Sequence, residues 1–352
     1  MLIRTTLLSL PLLLGAVSSV YASDDDLSRA REALQKQDND ADTERALEQV
    51  FEAAQKNYSL LRKGGKSLNY NFDYSYYGDQ RIDLLITQDI DADGNGLNSS
   101  SIRNADVSPV ASHTFTNAFT LDYGVLDNLT FSGRLPLVAK YETEGDLTAY
   151  GLGDISGSLR WQPFEYVPGR VSQTYFGSLK LKTGDSPYEI DIDRNLSTGS
   201  GYYSVSAGVS ASKVMDPVVL FGSGSYSYNL PEKDLNQRRG GSILEEVRPG
   251  NSFSFSMGFA YSLSYDVSLS ASFQGSYNDK TEFVLFSGGQ QVTSVAASQM
   301  SGIMNFALGV RVSPKTIANI NVGFGLTELS PDIIIGLSLP IDIEGVKPAS
   351  GN

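Results

Sequence analysis

The chain has 352 residues, a formal charge of −13 and no cysteine. That excludes a disulfide framework and thiolate metal sites, and it argues against nucleic-acid binding, which needs clustered Lys and Arg. The unusual supply is 34 Gly, 19 Tyr and 16 Phe against one Trp and one His, a composition suited to curved strands and interfacial aromatic girdles.

Residues 1–22 read as a secretory signal peptide: Arg4 is basic, Leu7 to Val20 is apolar, and Val20-Tyr21-Ala22 supplies the small residues of a cleavage site, so Ser23 starts the mature chain. No later stretch approaches the roughly 18 consecutive apolar residues of a membrane helix. A barrel is untouched by that test, because a lipid-facing strand needs an apolar residue only at every second position.

Residues 23–65 form the second region. Asp24 to Lys63 is rich in Ala, Glu, Gln, Leu, Lys and Arg and lacks Gly and Pro, which predicts helix. Leu47, Val50, Phe51, Ala54, Tyr58 and Leu61 make an apolar stripe at helical spacing, with Thr43 as N-cap and Gly64 as stop. A weaker stripe, Leu27, Ala30 and Leu34, breaks at Asp38-Asn39-Asp40. The helix over 43–63 has no domain of its own to cover its apolar face. A partner copy, the barrel wall or the lumen must do so.

From residue 66 to 341 the period is two. Phe253, Phe255, Met257, Phe259 and Tyr261 alternate with Ser254, Ser256, Gly258 and Ala260; Val267, Leu269, Ala271 and Phe273 alternate with Ser268, Ser270 and Ser272. The polar face is mostly Ser, Gly, Asn and Thr, small groups that fit a confined wet interior. The predicted strands are 67–88, 106–123, 129–140, 152–162, 171–183, 201–212, 218–229, 252–263, 267–277, 302–312, 316–326 and 332–341, with 342–352 as a tail. Connections after the even-numbered strands are mostly short, and those after the odd-numbered ones are mostly long and polar, as at 89–105, 184–200, 230–251 and 278–301. This is the outer-membrane pattern. It predicts an all-β, antiparallel outer-membrane barrel of about twelve strands with both termini in the periplasm and the lipid bilayer as its partner.

Parity places Arg134, Arg160, Lys180, Lys182 and Arg311 on the lumen face, together with Asp73, Asp83 and Asp122. The cations could form a stripe that favours anionic solutes or the acidic residues of a plug. Alternatively, they pair with the carboxylates and brace a narrow barrel; this reading is at least as strong. The loop containing Asp89, Asp91 and Asp93 has the D-x-D-x-D-G opening of a calcium site, but Ser100 stands where a bidentate Glu should close it, so a solvated acidic loop is the better reading. His113 follows Ser112, yet parity sets it with Phe115 and Phe119, facing away from that hydroxyl. With no nucleophile elbow, phosphate loop or metal cluster in the sequence, neither an enzyme nor a cofactor is expected.

Gly124-Val125-Leu126-Asp127-Asn128-Leu129, running into Gly133-Arg134-Leu135-Pro136-Leu137, resembles the strand-turn-strand signature of the MetA-pathway of phenol degradation family. Gly151-Leu152-Gly153-Asp154-Ile155, followed by Leu159-Arg160-Trp161, resembles its next strand. The resemblance covers roughly residues 66–341 and implies an outer-membrane barrel, in some members tied to uptake of aromatic compounds. Tyr58-Ser59-Leu60-Leu61-Arg62-Lys63-Gly64, entering a Tyr-rich first strand, is similar to the channels of Fap-type functional-amyloid secretion. That similarity implies a helical plug, a homotrimer and a secreted polypeptide cargo, although the extension here is short for a coiled coil plus a plug. The favoured expectation is a passive channel exporting an amyloid-like polypeptide and gated by the N-terminal helix. An uptake channel for small hydrophobic or aromatic compounds is the alternative within transport. A structural or adhesive barrel is the alternative outside it.

Overall fold

In a computed structural model, the protein is described over residues 60–78, 84–90, 96–104 and 111–341, apart from 144, 168, 192–193, 265 and 314–315; for 84–90 and 96–104 only the backbone is described. All of these fall in the second of the two units into which the chain divides, residues 47–352. The predicted helix over 43–63 therefore lies almost wholly outside the described residues, as do the signal peptide, the tail, Asp83, Asp91 and Asp93.

The strands among the described residues are β1 (Lys66–Tyr77), β2 (Leu84–Ile90), β3 (Gly96–Asn104), β4 (Ser112–Leu126), β5 (Leu129–Glu142), β6 (Leu147–Leu152), β7 (Ser156–Trp161), β8 (Ser172–Lys180), β9 (Ser204–Met215) and β10 (Val218–Asn229). The chain continues through β11 (Gln237–Arg239), β12 (Ser242–Arg248), β13 (Ser252–Ser262), β14 (Val267–Asn278), β15 (Thr281–Ser287), β16 (Gln290–Ala296), β17 (Gln299–Ser313), β18 (Thr316–Gly325) and β19 (Ile333–Ile341). A 13-stranded antiparallel sheet runs β4-β1-β19-β18-β17-β14-β13-β10-β9-β8-β7-β5-β6, and β4 also pairs with β5, which closes it. β5 pairs with β7 from Leu129 to Arg134 and with β6 from Leu137 to Glu142. β6 and β7 are thus two halves of one stave, and the thirteen strands make twelve staves. The far edge of β6 is sealed by coil: Thr198 Oγ1 donates to Leu152 O and Thr183 Oγ1 to Gly153 O, both at 2.8 Å.

The wall has its apolar side outward. Leu121, Leu159 and Leu269 are each more than two-fifths exposed, while Ser210 and Ser268 on the opposite face are buried. Such a surface is insoluble in water and suited to lipid. The single Trp, Trp161, lies on it beside Tyr175. β1 and β19 bring Leu68 opposite Ile341, so the barrel begins and ends at the same rim, the one bearing tight turns such as Asp127–Asn128.

Two expectations need correction. The first stave does not run to residue 88: it stops at Tyr77, and among the described residues β2 pairs with β3 alone, in a separate hairpin. Alternation persists through both strands, so period alone did not separate a stave from a hairpin. The connections 230–251 and 278–301 are not plain polar loops either. They contribute β11, β12, β15 and β16 to one four-stranded sheet, with Leu235, Leu244, Val247 and Leu285 as its core and Tyr188 and Phe283 packed against it.

Candidate functional site

The lumen is organised in rows of directly paired inward positions. One row passes from Asp122 through Ser132, Ser158, Ser178, Ser206, Ser227 and Ser252 to Asn278. Serine hydroxyls suit this lining because they are small and both donate and accept; Ser178 and Ser206 lie 3.0 Å apart. The next row toward the long-connection rim is Thr120, Arg134, Ser156, Lys180, Ser204 and Asn229.

The sequence-predicted charges do not form a single stripe. Arg160 Nη2 donates to Asp122 Oδ1 at 2.6 Å and to Ser132 Oγ at 2.7 Å, and Asn69 Nδ2 donates to Asp122 Oδ2 at 3.1 Å. Ser132 Oγ also donates to Asp122. This is a brace across neighbouring staves, buried on both sides. Lys182 lies past the end of β8, where it pairs with Glu232 at 2.7 Å and Glu189 at 3.0 Å. Burial disfavours its charge, but those two hydrogen bonds and charges outweigh it and raise the Lys182 pKa. Arg311 sits near the opposite rim with Asp266 at 3.9 Å. Asp73 points inward toward Gly336, between the β4 and β19 staves. Of the predicted cations, Arg134 and Lys180 line a cavity that measures about 660 Å³.

Asp154, read from the sequence only as part of a family motif and not as a site residue, organises this region. At the bend between β6 and β7 it accepts from Ser200 N at 2.7 Å, Gly184 N at 3.2 Å and the Ser200 hydroxyl. Lys180 donates to Ser200 Oγ at 2.6 Å and lies 4.3 Å over the Tyr202 ring. The signal was in the chain: Gly151 and Gly153 interrupt the apolar alternation just before Asp154. Tyr188 and Phe283 join Tyr202 in lining the cavity, with the first two rings 6.4 Å apart in an edge-on contact. Burial pushes the Tyr188 hydroxyl up to about 12, so it remains a neutral donor.

At the short-turn rim the chain enters the mouth of the barrel. Arg62 to Gly65 is a tight turn closed by Gly65 N donating to Arg62 O at 2.8 Å, with Gly64 at φ 79°, the left-handed position that glycine takes without a steric penalty. Upstream of it, Leu61 N donates to Oγ1 of the buried, inward Thr130 at 2.9 Å. Gly124, also inward, would place an added Cβ 2.1 Å from Arg62 O, so the 61–62 backbone lies against the inner wall where no side chain fits. Leu61, of the predicted plug stripe, is thus at the lumen mouth; Leu47, Val50, Phe51, Ala54 and Tyr58 lie outside the described residues.

His113 is on the outer face, its Nδ1 2.9 Å from Tyr74 Oη and its ring 5.1 Å from Tyr76 and 6.0 Å from Tyr141. It belongs to an aromatic girdle. The backbone at Asp89 is part of β2, and Asp91 and Asp93 lie outside the described residues.

No family model matches the chain. Among solved structures, an outer membrane channel from Pseudomonas putida F1 is similar at 12% identity and a TM-score of 0.59, with 81% of this chain and 98% of that one covered. The translocator domain of autotransporter NalP from Neisseria meningitidis aligns at 9% identity and a TM-score of 0.45 over 93% of this chain and 100% of that one. A mutant of the TodX monoaromatic hydrocarbon channel aligns at 8% and 0.41 over 83% and 93%. The first likeness shows a shared fold, and the latter two carry no argument. The chain has the fold of an outer-membrane β-barrel channel.

Proposed function

We propose that the barrel is a passive outer-membrane channel for small molecules, which cross through the polar, ring-lined cavity of the lumen. The observation that carries this is the cavity of about 660 Å³ inside a closed, lipid-facing wall, a volume in the range of small-molecule sites. The size favours uptake of small, ring-bearing compounds over export of a polypeptide. An extended chain would have to displace Tyr188, Phe283 and the four-stranded sheet packed against them. The MetA-pathway resemblance points the same way. In this reading the long connections face outward, both termini are periplasmic, and diffusion drives transport.

Residues 43–63 are proposed to gate the lumen from the short-turn rim. The contact of Leu61 and Arg62 with Thr130 and Gly124 supports this, because it leads the chain into the mouth. The test is conductance in planar bilayers with the mature chain and with residues 23–63 deleted. Conductance should rise on deletion. Equal conductance rejects the gate, and none from either form rejects the channel.

A further inference from the structure

The cavity holds a charge arrangement that passage of neutral solutes does not require. Arg134, Ser156, Lys180 and Ser204 are directly paired positions on four consecutive staves, and all four line the cavity. The two cations stand two staves apart, so their backbones are roughly 10 Å from each other, with the Ser156 hydroxyl between them. Long side chains on that spacing can converge on one ligand.

Their negative counterparts are few or already engaged. Among the described residues Arg134 has no carboxylate in ion-pair range, and its side chain is exposed to the cavity. Lys180 has Asp154 at 3.9 Å, but that carboxylate is filled by the Ser200 and Gly184 amides and the Ser200 hydroxyl. Asp279 also borders the cavity, four staves beyond Lys180, and accepts from the amide of Lys280. The two carboxylates match the two cations in number, but among the described residues neither stands within ion-pair range of Arg134, which leaves its guanidinium open to a ligand. Tyr202, Tyr188 and Phe283 also line this cavity.

We infer that this is a binding site for small anions carrying a flat apolar ring, of the arene carboxylate class. Arg134 and Lys180 take the carboxylate over Ser156, and the three rings take the arene. A guanidinium matches a carboxylate through two parallel hydrogen bonds, an ammonium adds a point charge, and hydroxyls complete the shell. The inference rests on the lumen being the path for small molecules, and it names their class.

The test titrates the mature protein in detergent with benzoate, acetate and benzyl alcohol by calorimetry, and measures reversal potentials in planar bilayers of the form lacking residues 23–63. Benzoate should bind at least about tenfold more tightly than either probe that lacks one half of it. Arg134→Gln and Lys180→Gln should each weaken benzoate about tenfold, the scale of one charge-assisted hydrogen bond, and Arg134→Lys should restore part of the loss. Heat-modifiable gel migration checks that each variant is folded, and the chloride-over-potassium preference expected of the form lacking residues 23–63 reads the site with no substitution in it. Equal binding of benzoate and benzyl alcohol, or folded glutamine variants that bind benzoate like the wild type, overturns the inference. Conductance without benzoate preference sinks the site and leaves the channel; benzoate binding without conductance does the reverse.

Discussion

The barrel wall and the four-stranded sheet of β11, β12, β15 and β16 are both antiparallel and two-faced, yet they bury opposite sides. In the wall Leu and Phe face out and Ser210 is 1% exposed; in the smaller sheet Leu244 and Val247 are both at 0%. The wall closes on itself, so its apolar face has only lipid to meet, and its interior is held by polar contacts. The smaller sheet has edges and water around it, so its apolar residues cover one another. Alternation marks a two-faced strand in both places. Closure decides which face is inside.

Breaking the polar brace of the wall should have the largest effect. Asp122→Ala leaves the Arg160 guanidinium buried without its carboxylate, which costs about 3–5 kcal/mol, and urea unfolding from lipid vesicles, followed by Trp161 emission, should move to lower urea. An unchanged midpoint would show that the pair does not hold the staves. Leu244→Ala tests the other logic. An emptied apolar core position costs about 2–5 kcal/mol, so limited proteolysis should cut within 230–251 and 281–296 while the barrel keeps its unfolding midpoint. If both shift together, the sheet and wall are one cooperative unit.

The smallest effect is a response to acid in the four-stranded sheet. The Glu246 carboxyl is held below its ordinary value of 4.5, first by the hydrogen bond from Arg248, which outweighs the opposing effect of burial, and also by the charges of Arg248 and Lys233. A depressed carboxyl stabilises the sheet above that ordinary value, and the contribution is lost as pH falls through the lowered one. The Glu246 side chain is about one-fifth exposed and its partner Arg248 is half exposed, so water screens the pair and the change is modest. Hydrogen exchange of β12 and β15, corrected for intrinsic rate, should quicken between about pH 6 and pH 3, with no matching change in β13 or β14. Exchange that quickens equally in all four strands would assign the acid response to the barrel instead.

Particular residues show where sequence reading reached and where it stopped. Leu269 against Ser268 and Phe253 against Ser252 were legible as outer and inner positions, because side-chain direction alternates within any single strand. His113 was legible as an outer residue for the same reason. Lys182 was not legible: it continues the parity of Lys180, but β8 ends between them, and its carboxylate partners come from separate connections at Glu189 and Glu232. β12 and β15 also escaped, since their pairing sets Leu244 opposite Leu285 across two whole staves of intervening chain.

The sequence by itself determined that the region beyond residue 65 is strand, which side of most strands is apolar, and that about twelve of them suffice to make a barrel. These follow from local geometry, in which each residue's direction depends on its immediate neighbours. Tertiary structure alone decided the register that brings Arg134, Ser156 and Lys180 into one row, the bend that puts Asp154 beside them, and the joining of two distant connections into a sheet. Those depend on how far each stave slides past the next as the wall closes, a displacement that no single strand encodes.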